Sequence, residues 1–277
     1  MTTPTPTSES ERKLKILMLH GYTQNGPLFH AKTRALEKLL NKAFPANKAS
    51  PLAAQYPGGV QLIYPTGPIR LQPADIPGFD VNAAGGEERE AFGWWKRETG
   101  SGDYSGLNAG LRTIAETIKA EGGIDGVIGF SQGAAGAGFV ASLLEPGRVE
   151  AFAKLEPQGG IKYPEEFEQG QVNPRGMLKF AVSYSGFYAP NEAYRAFYEP
   201  KIATPMLHFI GSLDSVVEES RCLALAKACE KETVIYHPGG HFVPIGKEMA
   251  GQLIGFVKEC CAEKKVEESV EDMDMPF

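Results

Sequence analysis

The chain has 277 residues, 42% of them hydrophobic, and a formal net charge of -6 at pH 7. A chain of this length can bury one substantial core, so we expect a single domain. The acidic balance argues against nucleic-acid binding, which needs surplus cations to displace the counterions of phosphates. Without a long apolar stretch or a signal-peptide pattern, we expect a cytoplasmic protein that binds no membrane. The four cysteines lack the spacing of a metal site, and we expect no metal and no cofactor.

Apolar runs alternate with helical repeats along the chain. In chain order, we predict strands at "LKILML", "GVQLIY", "GVIGF", "MLKFAVSY", "TPMLHFI" and "ETVIYH". Helices are predicted at "FHAKTRALEKLLNKAF", "GLNAGLRTIAETIKAE", after Ser131, at "SRCLALAKACE" and at "GQLIGFVKECC". This alternation indicates an α/β fold with a mostly parallel central sheet and helices on both faces. Ligands of such sheets bind at the carboxyl ends of the strands.

The domain organisation follows from composition. Residues 1–13 and the acidic tail 263–277 are predicted to be disordered, and residues 14–262 to form one domain. Two stretches rich in Gly, Pro and charge, at about 65–102 and 146–176, interrupt the alternation and are interpreted as inserted loops.

The stretch "GVIGFSQGAAGAG" contains one serine, Ser131, between an apolar strand and an alanine-rich helix. The pattern G-x-S-x-G in this setting is typical of a nucleophile elbow, in which the serine occupies a strained turn. Gly129 and Gly133 would remove the side chains that collide as the strand and the helix close on each other.

A serine nucleophile needs a base and an acid that orients the base, and in this arrangement they follow as Ser, Asp or Glu, His. Asp214 is the one aspartate between Ser131 and His241, and both candidates directly follow predicted strands. Asp214 could instead cap a helix, and His241 could be a solvated loop residue. His237 precedes a proline at a strand end, and His208 lies inside an apolar strand, so both are weaker candidates.

An acyl-transfer site also needs two donors for the oxyanion. The backbone N–H of Gln132 begins a helix, where N–H groups are unpaired. The second donor is expected in the loop "HGYTQNG", at the N–H of Tyr22 with Thr23 in reserve. His20 in this loop is interpreted as a support of the turn.

Aromatic residues of the inserts and loops are candidates for a substrate pocket. Trp94 and Trp95 either form a lid over an apolar pocket or anchor their loop to the sheet. Phe187 and Tyr188 could line an acyl pocket of medium length or belong to the core.

At these residues the chain resembles the FSH-type family of serine hydrolases, a branch of the α/β-hydrolases. The matching segments are "ILMLHGYTQNG", "FGWW", "GVIGFSQGAAGA", "FAVSYSGF", "TPMLHFIGSLDSVV" and "HPGGHFVP". The resemblance implies the α/β-hydrolase fold and esterase or thioesterase activity, with Ser131, Asp214 and His241 as the triad. It also implies a small ester or thioester substrate and, for some relatives, an acyl carrier protein as partner. The chain departs from the family at 46–59 and 146–176, which affects the shape of the pocket.

Two other classes of function remain open at this point. The letters "GAGFVA", with Gly136, Gly138 and Ala141, match a dinucleotide fingerprint, but they fall inside a predicted helix rather than in the turn after a strand. A non-catalytic binding module on the same fold is the other alternative.

Overall fold

Six parallel strands form the centre of the molecule in the computed structural model, which describes residues 12–46, 55–76, 90–168 and 172–262. In chain order, the strands of the described residues, including four short ones outside this sheet, are β1 (Leu14–Leu19), β2 (Val60–Ile63), β3 (Ile69–Arg70), β4 (Phe92–Gly93), β5 (Lys96–Arg97), β6 (Tyr104–Ser105), β7 (Gly126–Phe130), β8 (Phe180–Tyr184), β9 (Met206–Gly211) and β10 (Glu232–His237). The helices are α1 (Gly26–Ala43), α2 (Leu107–Ala120), α3 (Gln132–Leu143), α4 (Arg148–Leu155), α5 (Glu165–Glu168), α6 (Glu219–Lys227) and α7 (Lys247–Cys261). The predicted parallel sheet with its helices is confirmed.

The order of the strands defines where a ligand can bind. The main sheet runs β10-β9-β8-β7-β1-β2, so the chain builds outward from β1 to β2 and then from β7 in the opposite direction. The loops that follow β1 and β7 therefore separate at the carboxyl edge. Such a switch point is the usual ligand site of an open parallel sheet.

Both faces of the sheet are covered, which explains the nearly continuous apolar sequence of β1. Leu17 and Leu19 point into the core beneath α2 and α3, whereas Leu14, Ile16 and Met18 point into the core beneath α1 and α7. The alternation of side chains in a strand thus serves two hydrophobic cores at once.

The insert 146–176 is not the loop that its composition suggested, because it contains α4 and α5. Phe152 and Leu155 of α4 pack into the core. Arg148 is 1% exposed, and its guanidinium pairs with the Glu145 carboxylate at 2.7 Å and donates to the Pro200 carbonyl. One of the charges that indicated a surface loop, Arg148, is therefore neutralised inside the protein by Glu145, which precedes the insert.

Parts of other predictions lie outside the described residues. These parts are the tail 263–277, residues 1–11 of the first segment, residues 77–89 of the first insert, residues 169–171 of the second insert and residues 47–54 of the 46–59 departure. In the described remainder of the first insert, β3 pairs with β4, and β5 pairs with β6, in two short antiparallel ribbons.

The glycines of the β7–α3 junction differ in how closely they are packed. A methyl group on Gly129 would lie 2.1 Å from the Gly133 carbonyl oxygen, and one on Gly133 would lie 2.1 Å from the Leu19 carbonyl oxygen. Around Gly136, however, the nearest atom would be 3.6 Å away, which is an ordinary contact. The close approach of the helix to the sheet therefore depends on Gly129 and Gly133 and not on Gly136.

This difference predicts opposite effects of two alanine substitutions on one helix. Gly133→Ala should lower the free energy of unfolding by about 1–3 kcal/mol or more, because a backbone oxygen has to move. Gly136→Ala should leave it unchanged or raise it by up to about 1 kcal/mol, because alanine favours the helix. Urea unfolding of both variants measures this, and equal losses would contradict the packing described.

Burial of His208 predicts a loss of stability in acid. His208 is 1% exposed, and burial lowers its pKa to about 4. An unfolded chain binds a proton on this residue near its ordinary pKa of 6.5, whereas the folded protein does not, so stability falls as the pH drops from about 6.5 towards 4.

Replacing His208 with Gln should remove about 2 kcal/mol of the wild-type decrease in stability between about pH 7 and about pH 5. Urea unfolding at both pH values gives the change in unfolding free energy for each protein. Because only this change is compared, a uniform loss of stability in the variant does not affect the result. Parallel pH profiles of the wild type and H208Q would show that His208 is not buried neutral.

Candidate active site

Ser131 occupies a strained backbone position at the switch point. It lies between β7 and the first residue of α3 with φ 53° and ψ -115°, outside the region that side-chain-bearing residues favour. Its N–H donates to the Tyr184 carbonyl at 2.8 Å, which ties the turn to β8. The close contact between Gly129 and Gly133 described above allows this turn, and strain held in this way is typical of functional sites.

The structure brings His241 and Asp214 to Ser131 from distant parts of the chain. His241 Nε2 lies 3.0 Å from Ser131 Oγ, and His241 Nδ1 lies 2.8 Å from Asp214 Oδ2. Because a carboxylate accepts, Nδ1 carries the proton and Nε2 presents its lone pair to the hydroxyl. This is the arrangement in which an imidazole can take a proton from a serine.

Asp214 has both of its carboxylate oxygens engaged. Oδ1 accepts the N–H groups of Val216 and Val217 at 2.9 and 3.0 Å, while Oδ2 faces His241. Burial opposes ionisation of this carboxyl, but the hydrogen bonds from Val217, His241 and Val216 outweigh it and hold its pKa below the ordinary value. Since α6 begins later, at Glu219, the alternative that Asp214 caps this helix is wrong.

The other histidines near the sheet have different surroundings. His237 is 3% exposed, and its Nδ1 accepts the Gly239 N–H at 3.3 Å. His20 Nε2 accepts the Gly67 N–H at 2.9 Å and its Nδ1 lies 2.8 Å from the Gly21 carbonyl, so His20 supports the turn. Burial lowers the pKa of His20 to about 4, which keeps it neutral.

The expected oxyanion donors differ in whether they are free. Within the described ranges, the N–H groups of Tyr22 and Gln132 donate to no protein acceptor. The Thr23 N–H donates to the Phe92 carbonyl at 2.9 Å, so Thr23 is not available as the reserve donor. Tyr22 and Ser131 line the same cleft, and Gln132 follows Ser131 directly.

Sequence reasoning assigned only a backbone role to Gln132, but its side chain also has two partners. Oε1 accepts the Trp94 N–H and Nε2 donates to the Trp95 carbonyl, both at 2.8 Å. The Trp94 indole N–H in turn donates to the His20 carbonyl at 2.9 Å. This network joins the loop after β1 to the start of α3. The "FGWW" match indicated the segment but not this contact.

The tryptophans form no lid over the cleft. Trp94 and Trp95 are 0% and 2% exposed and belong to the core, where Trp95 stacks on Tyr104 at 5.1 Å. Large indole rings gain most from complete burial, so the alternative that they anchor the loop applies. Phe187 and Tyr188 also lie away from the cleft: Phe187 packs beneath the Arg221 guanidinium, and Tyr188 stacks on Tyr198.

Ser131 opens into a cleft of about 630 Å³. Its described apolar lining comes from α1 and from the loops that carry the polar residues, namely Phe29, Ile76, Phe130, Val216, Phe242 and Val243. Sequence reasoning missed these residues. Phe242 and Val243 directly follow His241 and could have been found from that adjacency, whereas Phe29 reads as an ordinary core position of a helix.

Other kinds of site find little support. Gly136 and Gly138 lie inside α3, not in the strand-to-helix turn that a dinucleotide fingerprint requires. Among the residues with described positions, no group of three or more His, Cys, Asp or Glu side chains could hold a metal ion. No helix in the same ranges is long and apolar enough to cross a membrane.

Comparison with known proteins agrees with the fold. A structure of Zea mays acyl-protein thioesterase 2 aligns with a TM-score of 0.55 and 22% identity, covering 91% of this chain and 95% of that one. A structure of esterase PE8 aligns with a TM-score of 0.56 and 15% identity, covering 92% and 96%. The predicted α/β-hydrolase fold is confirmed.

Relatives by sequence point to one family. "Family of serine hydrolases 3" of Saccharomyces cerevisiae is 30% identical over 263 residues, which cover 90% of this chain and 85% of that protein. "Esterase OVCA2" of Xenopus tropicalis is 29% identical over 255 residues, covering 87% and 91%. A Schizosaccharomyces pombe protein named "Dihydrofolate reductase" is 31% identical over 239 residues, but the chain spans only 44% of its length.

The family profile described as "Serine hydrolase (FSH1)" matches residues 9–253, a range that includes the strained serine, the histidine and the carboxylate. With this match, the chain belongs to the FSH1 family of serine hydrolases.

Proposed function

We propose that Ser131, His241 and Asp214 are the catalytic triad of an esterase that cleaves carboxylic esters with short to medium acyl chains. The observation that carries the proposal is the unbroken chain of contacts from Ser131 Oγ to His241 at 3.0 Å and from His241 to Asp214 at 2.8 Å. These contacts lie at the carboxyl edge of the sheet, where a ligand of this fold binds.

In the first half of the reaction, His241 Nε2 takes the proton of the Ser131 hydroxyl as Oγ attacks the ester carbonyl. The carbonyl oxygen becomes an oxyanion, and the N–H groups of Tyr22 and Gln132, which have no other acceptor among the described residues, stabilise it. When the tetrahedral intermediate collapses, the bond to the leaving oxygen breaks and His241 gives its proton to that oxygen. The acyl group is then esterified to Ser131.

In the second half, His241 removes a proton from a water molecule that attacks the acyl-serine carbonyl. The bond to Ser131 Oγ breaks, the proton returns to Oγ and the carboxylic acid leaves. The lowered pKa of Asp214 keeps its carboxylate ionised, so it supports the imidazolium in both halves.

The apolar lining of the cleft supports a hydrocarbon acyl group as the bound part of the substrate. A cleft of about 630 Å³ is within the range of small-molecule sites. A second candidate function is release of an acyl chain from coenzyme A or from an acyl carrier protein. The observation that favours it is a cavity with two arginines beside the cleft, which is treated below.

Substitution of the nucleophile tests the proposal. Ser131→Ala should lower kcat on a p-nitrophenyl ester by about 10³-fold or more and abolish labelling by a fluorophosphonate, because it removes the hydroxyl that contacts His241 Nε2. Ser142→Ala is the matched control, because Ser142 is a buried serine of α3, the helix that follows Ser131, and its hydroxyl has no partner among the described residues. Normal turnover by folded S131A would refute the triad.

The side chain of Gln132 provides a second test. Gln132→Ala removes both 2.8 Å hydrogen bonds to the tryptophan segment, so the start of α3 should lose its fixed position. We expect kcat to fall by up to about 100-fold with a small change in KM, because the oxyanion donors act in the transition state. Gln158→Ala, an exposed glutamine on the insert, is the control. Unchanged kcat in Q132A would show that these two hydrogen bonds are dispensable for catalysis.

A further inference from the structure

A second cavity, of about 450 Å³, lies beside the Ser131 cleft, and Val216 lines both. We call it the arginine cavity. Its walls come from β5, from the segment after β8 and from the loop and first turns of α6, and its polar lining residues are Arg97, Tyr188, Ser215, Glu218, Ser220 and Arg221.

The two arginines of this cavity differ from most of the others in the described chain. Neither Arg97 nor Arg221 pairs with a carboxylate of any described residue, whereas four other arginines do, namely Arg112, Arg148, Arg175 and Arg195. The Arg221 guanidinium stacks 4.6 Å from the centre of the Phe187 ring, which holds its orientation. Glu218 contributes one carboxylate, so the cavity carries two cations against one anion.

The two guanidinium groups come from different elements, but their charges affect the same buried hydroxyl, that of Tyr104. Burial raises the pKa of the Tyr104 hydroxyl to about 12, and the positive charges of Arg221 and Arg97 both oppose that increase. Both arginines line the arginine cavity, Arg97 from β5 and Arg221 from α6. An arrangement of two unpaired guanidinium groups suits a phosphate, which offers more charge and more acceptor oxygens than a single carboxylate.

The arginine cavity adjoins the Ser131 cleft at the loop that carries Asp214 and Val216. In the proposed mechanism His241 protonates the leaving atom, and the far side of its ring is held by Asp214. The Val216 N–H donates to Asp214 Oδ1 at 2.9 Å, so the residue shared by the two cavities is fixed to the acid of the triad. A leaving group that extends from the Ser131 cleft past Val216 would enter the arginine cavity.

We propose that the arginine cavity binds a phosphate group carried by the leaving group of the substrate. The inference rests on the proposed function, because it assigns the acyl group to the apolar cleft and therefore the leaving group to the adjoining cavity. The phosphate could belong to a phosphorylated alcohol or to a phosphorylated thiol, and the test distinguishes these two sources.

The test uses two matched pairs of substrates with one acyl group. The alcohol pair is the acyl ester of glycerol 3-phosphate and the acyl ester of glycerol, and the thiol pair is acyl-coenzyme A and acyl-N-acetylcysteamine. For at least one pair, we expect the full-length protein to show a kcat/KM about tenfold or more higher for the phosphorylated member. The pair that shows this preference identifies the source of the phosphate.

The double variant R97Q/R221Q should lose that preference and keep its activity on the unphosphorylated members and on a p-nitrophenyl ester. Arg195→Gln removes the same charge from an arginine that is paired with Glu199 elsewhere on the surface, and it should keep the preference. The wild-type preference should also weaken as salt is added, because exposed charges are screened.

Several outcomes would overturn the inference. One is a wild-type protein that hydrolyses the p-nitrophenyl ester but does not distinguish the members of either pair, which would leave the proposed function intact. Another is an equal loss by R97Q/R221Q on all substrates, which would make the arginines structural. Absence of hydrolysis of every substrate, together with no labelling of Ser131, would instead refute the proposed function itself.

Discussion

The backbone turn at Ser131 is the constraint on which the rest of the site depends. A side-chain-bearing residue at φ 53° persists only where its neighbours leave no alternative. Here the Ser131 N–H is bound to β8, and Gly129 and Gly133 lie so close to each other and to β1 that neither has room for a methyl group. Strand pairing and close packing together hold the hydroxyl at the edge of the sheet.

The same junction connects three segments that are distant in sequence. The Gln132 side chain binds the Trp94 N–H and the Trp95 carbonyl, and the Trp94 indole N–H donates to the His20 carbonyl in the loop after β1. Burial of the two indoles therefore fixes the loop after β1, which carries Tyr22, relative to the start of α3, which carries Gln132. In this way a hydrophobic core feature controls the geometry of a polar site several residues away.

The loop after β9 lies between two cavities. Asp214 holds His241 with one oxygen and the backbone of Val216 and Val217 with the other. Val216 then separates the apolar cleft from the cavity that contains Arg97 and Arg221. One short loop thus orients the His241 ring and lies between an apolar surface and a cationic surface.

Local patterns were enough to predict the parallel sheet and the positions of Ser131, Asp214 and His241 after three strands, because apolar runs, helical spacing and glycine turns can be recognised within short segments. Which side chains meet depends on the folded chain. The tertiary structure placed Trp94 and Trp95 in the core, folded the charged segment at Arg148 into a helix and engaged the Thr23 N–H. The physical reason is that burial and long-range hydrogen bonding depend on segments far apart in the chain, which no local pattern records.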